Sequence, residues 1–168
     1  MNQIFEGNLD GRGLRTGIIA SRFNEFIVEN LVRGAQRGFR MCGVPEGSVD
    51  LAYVPGSLEL AFAARSMADS GNYDALVCVG CVIRGATSHY DLVCSETAKG
   101  VSQVAAQTGV PVIFAVVTTE TLEQAIERSG SKAGNKGYDG ALAAVEMATL
   151  GQGLTLGKGP KKARRPKK

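Results

Sequence analysis

The segment Ala75-Leu-Val-Cys-Val-Gly-Cys-Val-Ile83 sets nine residues in a row without a single charge. A membrane-spanning helix needs about 20 apolar residues, so this run is too short to be one. A strand with one wet face alternates apolar and polar positions, and this one does not. It fits a strand covered on both faces, as in the middle of a parallel sheet. The rest of the chain agrees. Apolar runs at Thr16–Ser21, Val49–Val54 and Pro111–Val117 read as three further strands, and helix-periodic segments separate them. Val28, Leu31, Val32, Ala35, Phe39 and Cys42 share one helix face, stopped by Gly43-Val-Pro45. Leu60, Ala61, Ala64, Met67 and Ala68 mark a second helix over Ser57–Ser70, closed by Gly71. Ser88–Gln107 reads as a third. Thr121–Arg128 opens with the Thr121/Gln124 capping box, and the last helix is expected from Asp139 to Leu150. Strands alternating with helices imply right-handed crossovers. The expected architecture is a three-layer α/β/α sandwich around a four-stranded parallel sheet in flavodoxin-like order.

Composition supports one folded domain. The chain has 168 residues, 44% hydrophobic and 21% charged, which excludes a disordered chain and a disulfide-stapled module. The formal charge of +3 comes from the end of the chain. Seven cations lie between Lys158 and Lys168, and the other 12 basic residues face 16 acidic ones, a net −4. Residues 1–150 are thus expected to form the domain, and 151–168 a flexible basic tail without an ordered helix. Nucleic acid is a candidate partner for that tail alone. Cys78 and Cys81 make a C-x-x-C inside the apolar run, away from the helix N-terminus a redox pair uses, and read as buried thiols. The first residues carry no charged-then-apolar leader pattern, and no run is long enough to span a membrane. A cytoplasmic protein is expected.

In parallel sheets of this kind, ligands sit outside the carboxyl ends of the strands. Four segments fall there: Ser21-Arg-Phe-Asn24, Pro55-Gly-Ser-Leu-Glu59, Val82-Ile-Arg-Gly-Ala-Thr-Ser-His89 and Thr118-Thr119. Gly85-Ala-Thr87 precedes a helix start, where backbone N–H groups and the helix dipole favour an anion. His89, the only histidine, stands at that start and can move protons. Phe23 either caps the core or stacks on a planar ring. Glu59 sits in a first helical turn, where the dipole alone favours a carboxylate. Arg128 and Lys136 flank a glycine-rich loop and read by default as solvated cations.

Together these segments resemble the 6,7-dimethyl-8-ribityllumazine synthase family. The resemblance rests on Arg22-Phe-Asn24, Pro55-Gly-Ser-Leu-Glu59, Gly80-Cys-Val-Ile-Arg-Gly-Ala-Thr-Ser-His-Tyr-Asp91, Pro111-Val-Ile-Phe114, Thr118-Thr-Glu-Thr-Leu-Glu-Gln-Ala125 and Lys132-Ala-Gly-Asn-Lys-Gly137, in that order, over roughly residues 1–150. Ala115 and Ser57 depart from the family's usual Gly and Ala, and the basic tail is longer than usual. The resemblance implies condensation of 5-amino-6-(D-ribitylamino)uracil with 3,4-dihydroxy-2-butanone 4-phosphate, without metal or organic cofactor. It implies His89 as the catalytic proton carrier. Phe23, Asn24, Gly56, Ser57, Leu58, Glu59, Val82, Ile83, Phe114 and Lys136 would hold the pyrimidine and ribityl chain. Arg128, Gly85, Ala86 and Thr87 would hold phosphate. Phe114, Arg128 and Lys136 are expected from a neighbouring subunit of a pentamer. Gly134-Asn-Lys-Gly137 resembles the turn of members that build shells of twelve pentamers, some with riboflavin synthase as partner. An archaeal-type riboflavin synthase and a non-catalytic flavin-binding scaffold are the rival readings.

Overall fold

The computed structural model describes residues 2–155. The expectations for 156–168 lie outside them. Four parallel strands, β1 (Thr16–Ser21), β2 (Val49–Val54), β3 (Ala75–Ile83) and β4 (Val112–Thr119), pair in the order β2-β1-β3-β4. Five α-helices follow the strands among the described residues: α1 (Glu25–Met41), α2 (Leu60–Ser70), α3 (His89–Thr108), α4 (Leu122–Arg128) and α5 (Lys136–Thr155). A single helical turn, Ser57–Glu59, leads into α2. The four-stranded parallel α/β architecture is the one expected.

β1 and β3, at the centre of the sheet, are buried on both faces, where successive side chains point to opposite sides, while Leu51 and Tyr53 on the edge strand β2 are exposed. Ile18, Ala20, Val77, Val79, Cys81, Ala115 and Val117 pack with Leu31, Phe39, Ala141 and Val145 of α1 and α5. Ile19, Leu76, Cys78, Val112 and Val116 pack with Leu60, Ala64, Val101 and Val104 of α2 and α3. Cys78 and Cys81 thus face opposite layers, so they can share neither a disulfide nor an ion. Burial pushes each thiol up to about 12.

Two helix bounds differ from expectation. The last helix starts at Lys136, three residues early, because Asn135 caps it. Its Oδ1 accepts from Tyr138 N–H at 3.1 Å, while its Nδ2 donates to the carbonyls of Asn30 (2.9 Å) and Ser129 (3.0 Å). Gly137 then passes directly against α1: a Cβ there would lie 2.0 Å from the Leu31 carbonyl oxygen. The helix also continues to Thr155, five residues past Leu150, through Gly151 and Gly153. Extending an existing helix through glycine costs only about 1 kcal/mol each, and the Thr155 hydroxyl donates to the Gly151 carbonyl at 2.9 Å. The extended segment before β1 returns to this helix. Gly7 abuts Glu146, and Asn8 N–H donates to Thr149 Oγ1 at 2.9 Å.

Candidate active site

With strand order β2-β1-β3-β4, the chain leaves β1 toward one edge of the sheet and β3 toward the other. The crevice opens where they part, at the carboxyl ends of β1 and β3. β1 pairs with β3 only as far as Ala20 opposite Val79, whereas β3 pairs with β4 to Ile83 opposite Thr119. Residues 80–83 therefore overhang β1, and Cys81, Val82 and Ile83 among them line a cavity of about 440 Å³. This lies within the usual size range of small-molecule sites.

Three of the four strand ends contribute; Thr118-Thr119, at the end of β4, were expected here but do not line the cavity. After β1, Asn24 takes up left-handed backbone (φ 60°), which Asn tolerates better than most residues. Its Nδ2 donates to the Cys81 carbonyl at 2.9 Å, bridging β1 to β3, and its own carbonyl receives the first N–H groups of α1. Phe23, beside it, is 71% exposed at the cavity rim. Of its two readings, capping the core is thereby excluded. After β2, Pro55, Gly56, Ser57, Leu58 and Glu59 line the opposite side. Glu59 Oε2 accepts from Gly56 N–H at 2.8 Å, which sets this turn and leaves the other carboxylate oxygen uncommitted in that bond. The turn sits close to β3 because residue 80 is glycine: a Cβ there would stand 2.9 Å from Ser57 Oγ and 3.1 Å from Ser21 Oγ.

Cys81, Val82 and Ile83 form the floor, and Gly85, Thr87, His89, Tyr90 and Val93 close the third side. His89 opens α3, a helix of 20 residues, so its positive end and the Gly85–Thr87 loop face the cavity together. Arg84 holds this loop from behind. Its backbone N–H donates to the Thr119 carbonyl at 2.9 Å, and its side chain pairs with Asp91 and Glu120. Hydrogen bonding to Arg84 keeps the Asp91 carboxyl below its usual range.

The chain does not bring every expected residue here. Ala86 lies in the loop but off the cavity wall. Phe114 is half-buried in the core beneath α2 and α3. Arg128 ends α4 and Lys136 begins α5, both exposed and both outside this cavity. Conversely, Cys81, Tyr90 and Val93 line it without having been singled out as site residues from the sequence. Tyr90 carried a usable signal, lying next to His89 on the first turn of α3. A second cavity of about 520 Å³, lined by Arg33, Arg37, Asn135 and Tyr138 among others, contains none of the expected substrate ligands.

Among the described residues, no group of three or more His, Cys, Asp or Glu side chains could hold a metal ion. No helix there is long and apolar enough to cross a membrane. Three of the six segments that carry the resemblance in the sequence, around Phe23-Asn24, Pro55–Glu59 and Cys81–Tyr90, converge on the cavity; Pro111–Phe114, Thr118–Ala125 and Lys132–Gly137 do not line it. The sequence model of 6,7-dimethyl-8-ribityllumazine synthase, an oligomer-forming transferase family of riboflavin biosynthesis, matches residues 13–152. That span takes in all four strands, all of α1 to α4 and most of α5, so the chain belongs to the 6,7-dimethyl-8-ribityllumazine synthase family.

Proposed function

We propose that the chain joins 5-amino-6-(D-ribitylamino)uracil to 3,4-dihydroxy-2-butanone 4-phosphate, releasing phosphate and water to form 6,7-dimethyl-8-ribityllumazine. One observation carries this reading. Phe23-Asn24, Pro55–Glu59 and, from the third segment, Val82, Ile83, Gly85, Thr87 and His89, far apart in sequence, surround one cavity whose walls suit both substrates.

The exposed ring of Phe23 offers a stacking face for the pyrimidine. The overhanging backbone of Val82 and Ile83 offers hydrogen bonds to the pyrimidine edge. Glu59 and the backbone of Gly56, Ser57 and Leu58 meet the ribityl hydroxyls. Gly85, Ala86 and Thr87, at the positive end of α3, receive the phosphate. His89 moves protons during imine formation, phosphate loss and ring closure. Holding two reactive molecules in one orientation is the main service such a site provides.

Phe114, Arg128 and Lys136 complete the site from a neighbouring subunit of a pentamer. Apolar side chains on the outer faces of the helices support association: Phe62 is 78% exposed, Phe26 71% and Leu92 64%. Twelve pentamers closing into a shell is the family reading of Gly134–Gly137, although Asn135 and Gly137 also have local duties within each chain. Riboflavin synthase is the candidate partner, the cytoplasm the proposed location, and the basic tail the one route to nucleic acid. Incubating the purified protein with both substrates and following lumazine absorbance tests the activity, and sizing by light scattering tests the assembly. No lumazine formed, or riboflavin formed from lumazine alone, would refute the reading.

A further inference from the structure

Arg84 directly follows β3, yet its side chain is not part of the cavity wall. It lies 4.1 Å over the ring of Tyr90. Its Nη1 and Nη2 donate to the two Asp91 oxygens at 3.1 and 2.8 Å, and its Nε pairs with Glu120 at 2.7 Å. One guanidinium therefore ties the end of β3, the first turn of α3 and the residue after β4. That turn carries His89 and lacks the usual anchor. Ser88 makes no side-chain cap bond, and the contact from His89 N–H to Thr87 Oγ1 is long, at 3.4 Å. Two carboxylates already neutralise Arg84, so it is poorly suited to receive a phosphate. Its planar fork meets Asp91 bidentately while its flat face covers Tyr90, a geometry lysine cannot reproduce.

We propose that Arg84 is a positioning residue: by clamping Tyr90 and Asp91 against the end of β4 it holds His89 over the cavity. The inference rests on the lumazine-forming reading above. A displacement of about 1 Å in a catalytic group can cost about a hundredfold in rate. Loss of the clamp acts on kcat, because the side chain's partners are Tyr90, Asp91 and Glu120, whereas the start of the neighbouring Gly85–Thr87 loop stays pinned by the Arg84 backbone N–H on the Thr119 carbonyl.

Two measurements on the full chain test this separately. Hydrogen exchange, read by mass spectrometry, is expected to be at least about tenfold faster over residues 88–92 in Arg84→Lys than in the wild type. Unchanged exchange would overturn the clamp without reference to activity. In the lumazine assay, Arg84→Lys and Asp91→Asn should each lower kcat by at least about threefold and by no more than His89→Ala does, with KM for the butanone phosphate within about threefold. Either change should cost less than about twofold more in a His89→Ala background, since residues acting as one unit are not additive. Wild-type kcat in Arg84→Lys, or full additivity with His89→Ala, would overturn the inference while leaving the functional reading intact. A wild-type chain making no lumazine would overturn both. Asp91 is exposed, so Asp91→Asn keeps the test open where an Arg84 variant folds poorly.

Discussion

Gly137→Ala and Gly151→Ala make the same change in one helix and should act in opposite directions. At position 137 the new Cβ would stand 2.0 Å from the Leu31 carbonyl oxygen, 2.8 Å from its carbon and 3.1 Å from its Cα. Since Cβ contacts under 3.0 Å essentially do not occur, α1 and α5 must part by about 1 Å. They cannot part freely, because Asn135 at the head of α5 is bonded to the Asn30 carbonyl of α1. Overpacking of this kind costs about 1–3 kcal/mol, and helical backbone yields less than a side chain, so the upper part of that range applies. Alanine's better helix propensity returns at most about 1 kcal/mol. The net expectation is a loss of about 2 kcal/mol, or about 4–8 °C in melting temperature for a chain of this size. At Gly151 nothing lies within 4 Å of the added carbon, so only the propensity gain remains. That variant should melt about 1–4 °C higher. Far-UV circular dichroism at matched protein concentration reads both. A Gly137→Ala protein melting at or above wild type would refute the close approach of α1 and α5 as the reason for glycine.

Three further outcomes are expected. Arg128→Ala should lower kcat/KM more than His89→Ala, by about one to two decades, because a charge-assisted phosphate contact contributes about 1.5–3 kcal/mol while water replaces part of a proton relay; steady-state kinetics giving the reverse order would sink the ranking. Mixing impaired Arg128→Ala chains with impaired Phe23→Ala chains should raise activity above that of either variant alone by recreating intact sites between subunits; no gain after verified subunit exchange counts against a shared site. Hydrogen bonding to Arg84 lowers the Asp91 carboxyl, so the pair stabilises the fold above the unfolded carboxylate's pKa and ceases to as pH falls through the lower folded value. The stability gap between wild type and Asp91→Asn, measured by urea unfolding, should stay level from about pH 5 to 8 and close below about pH 4; a gap that widens on acidification contradicts the pairing.

The strands were legible because their signal is local. β1, β2 and β3 occupy Thr16–Ser21, Val49–Val54 and Ala75–Ile83 as the apolar runs indicate. The start of α5 was not legible, because its cap depends on Asn135 reaching the Asn30 carbonyl, 105 residues away in sequence. A glycine-rich stretch reads as loop until that contact exists. The helix's far end was misjudged for the converse reason: glycines that nucleate poorly are still carried by a helix already formed. Within the site, His89, Phe23 and the Pro55–Glu59 turn followed from the rule that ligands sit beyond strand ends. Arg84 did not, since a loop cation reads as solvated until Asp91 and Glu120 are folded around it. Phe114, Arg128 and Lys136 owe their candidacy to family likeness, and nothing in one chain's own cavity calls for them.

The contact between Asn8 and Thr149 brings the segment ahead of β1 back onto the last helix. A chain cut back to residues 8–150 would therefore begin and end in the same neighbourhood. The same proximity invites circular permutation. A short flexible linker joining residue 150 to residue 8 would leave the sheet order untouched, with a new break placed at an exposed turn such as Gly47.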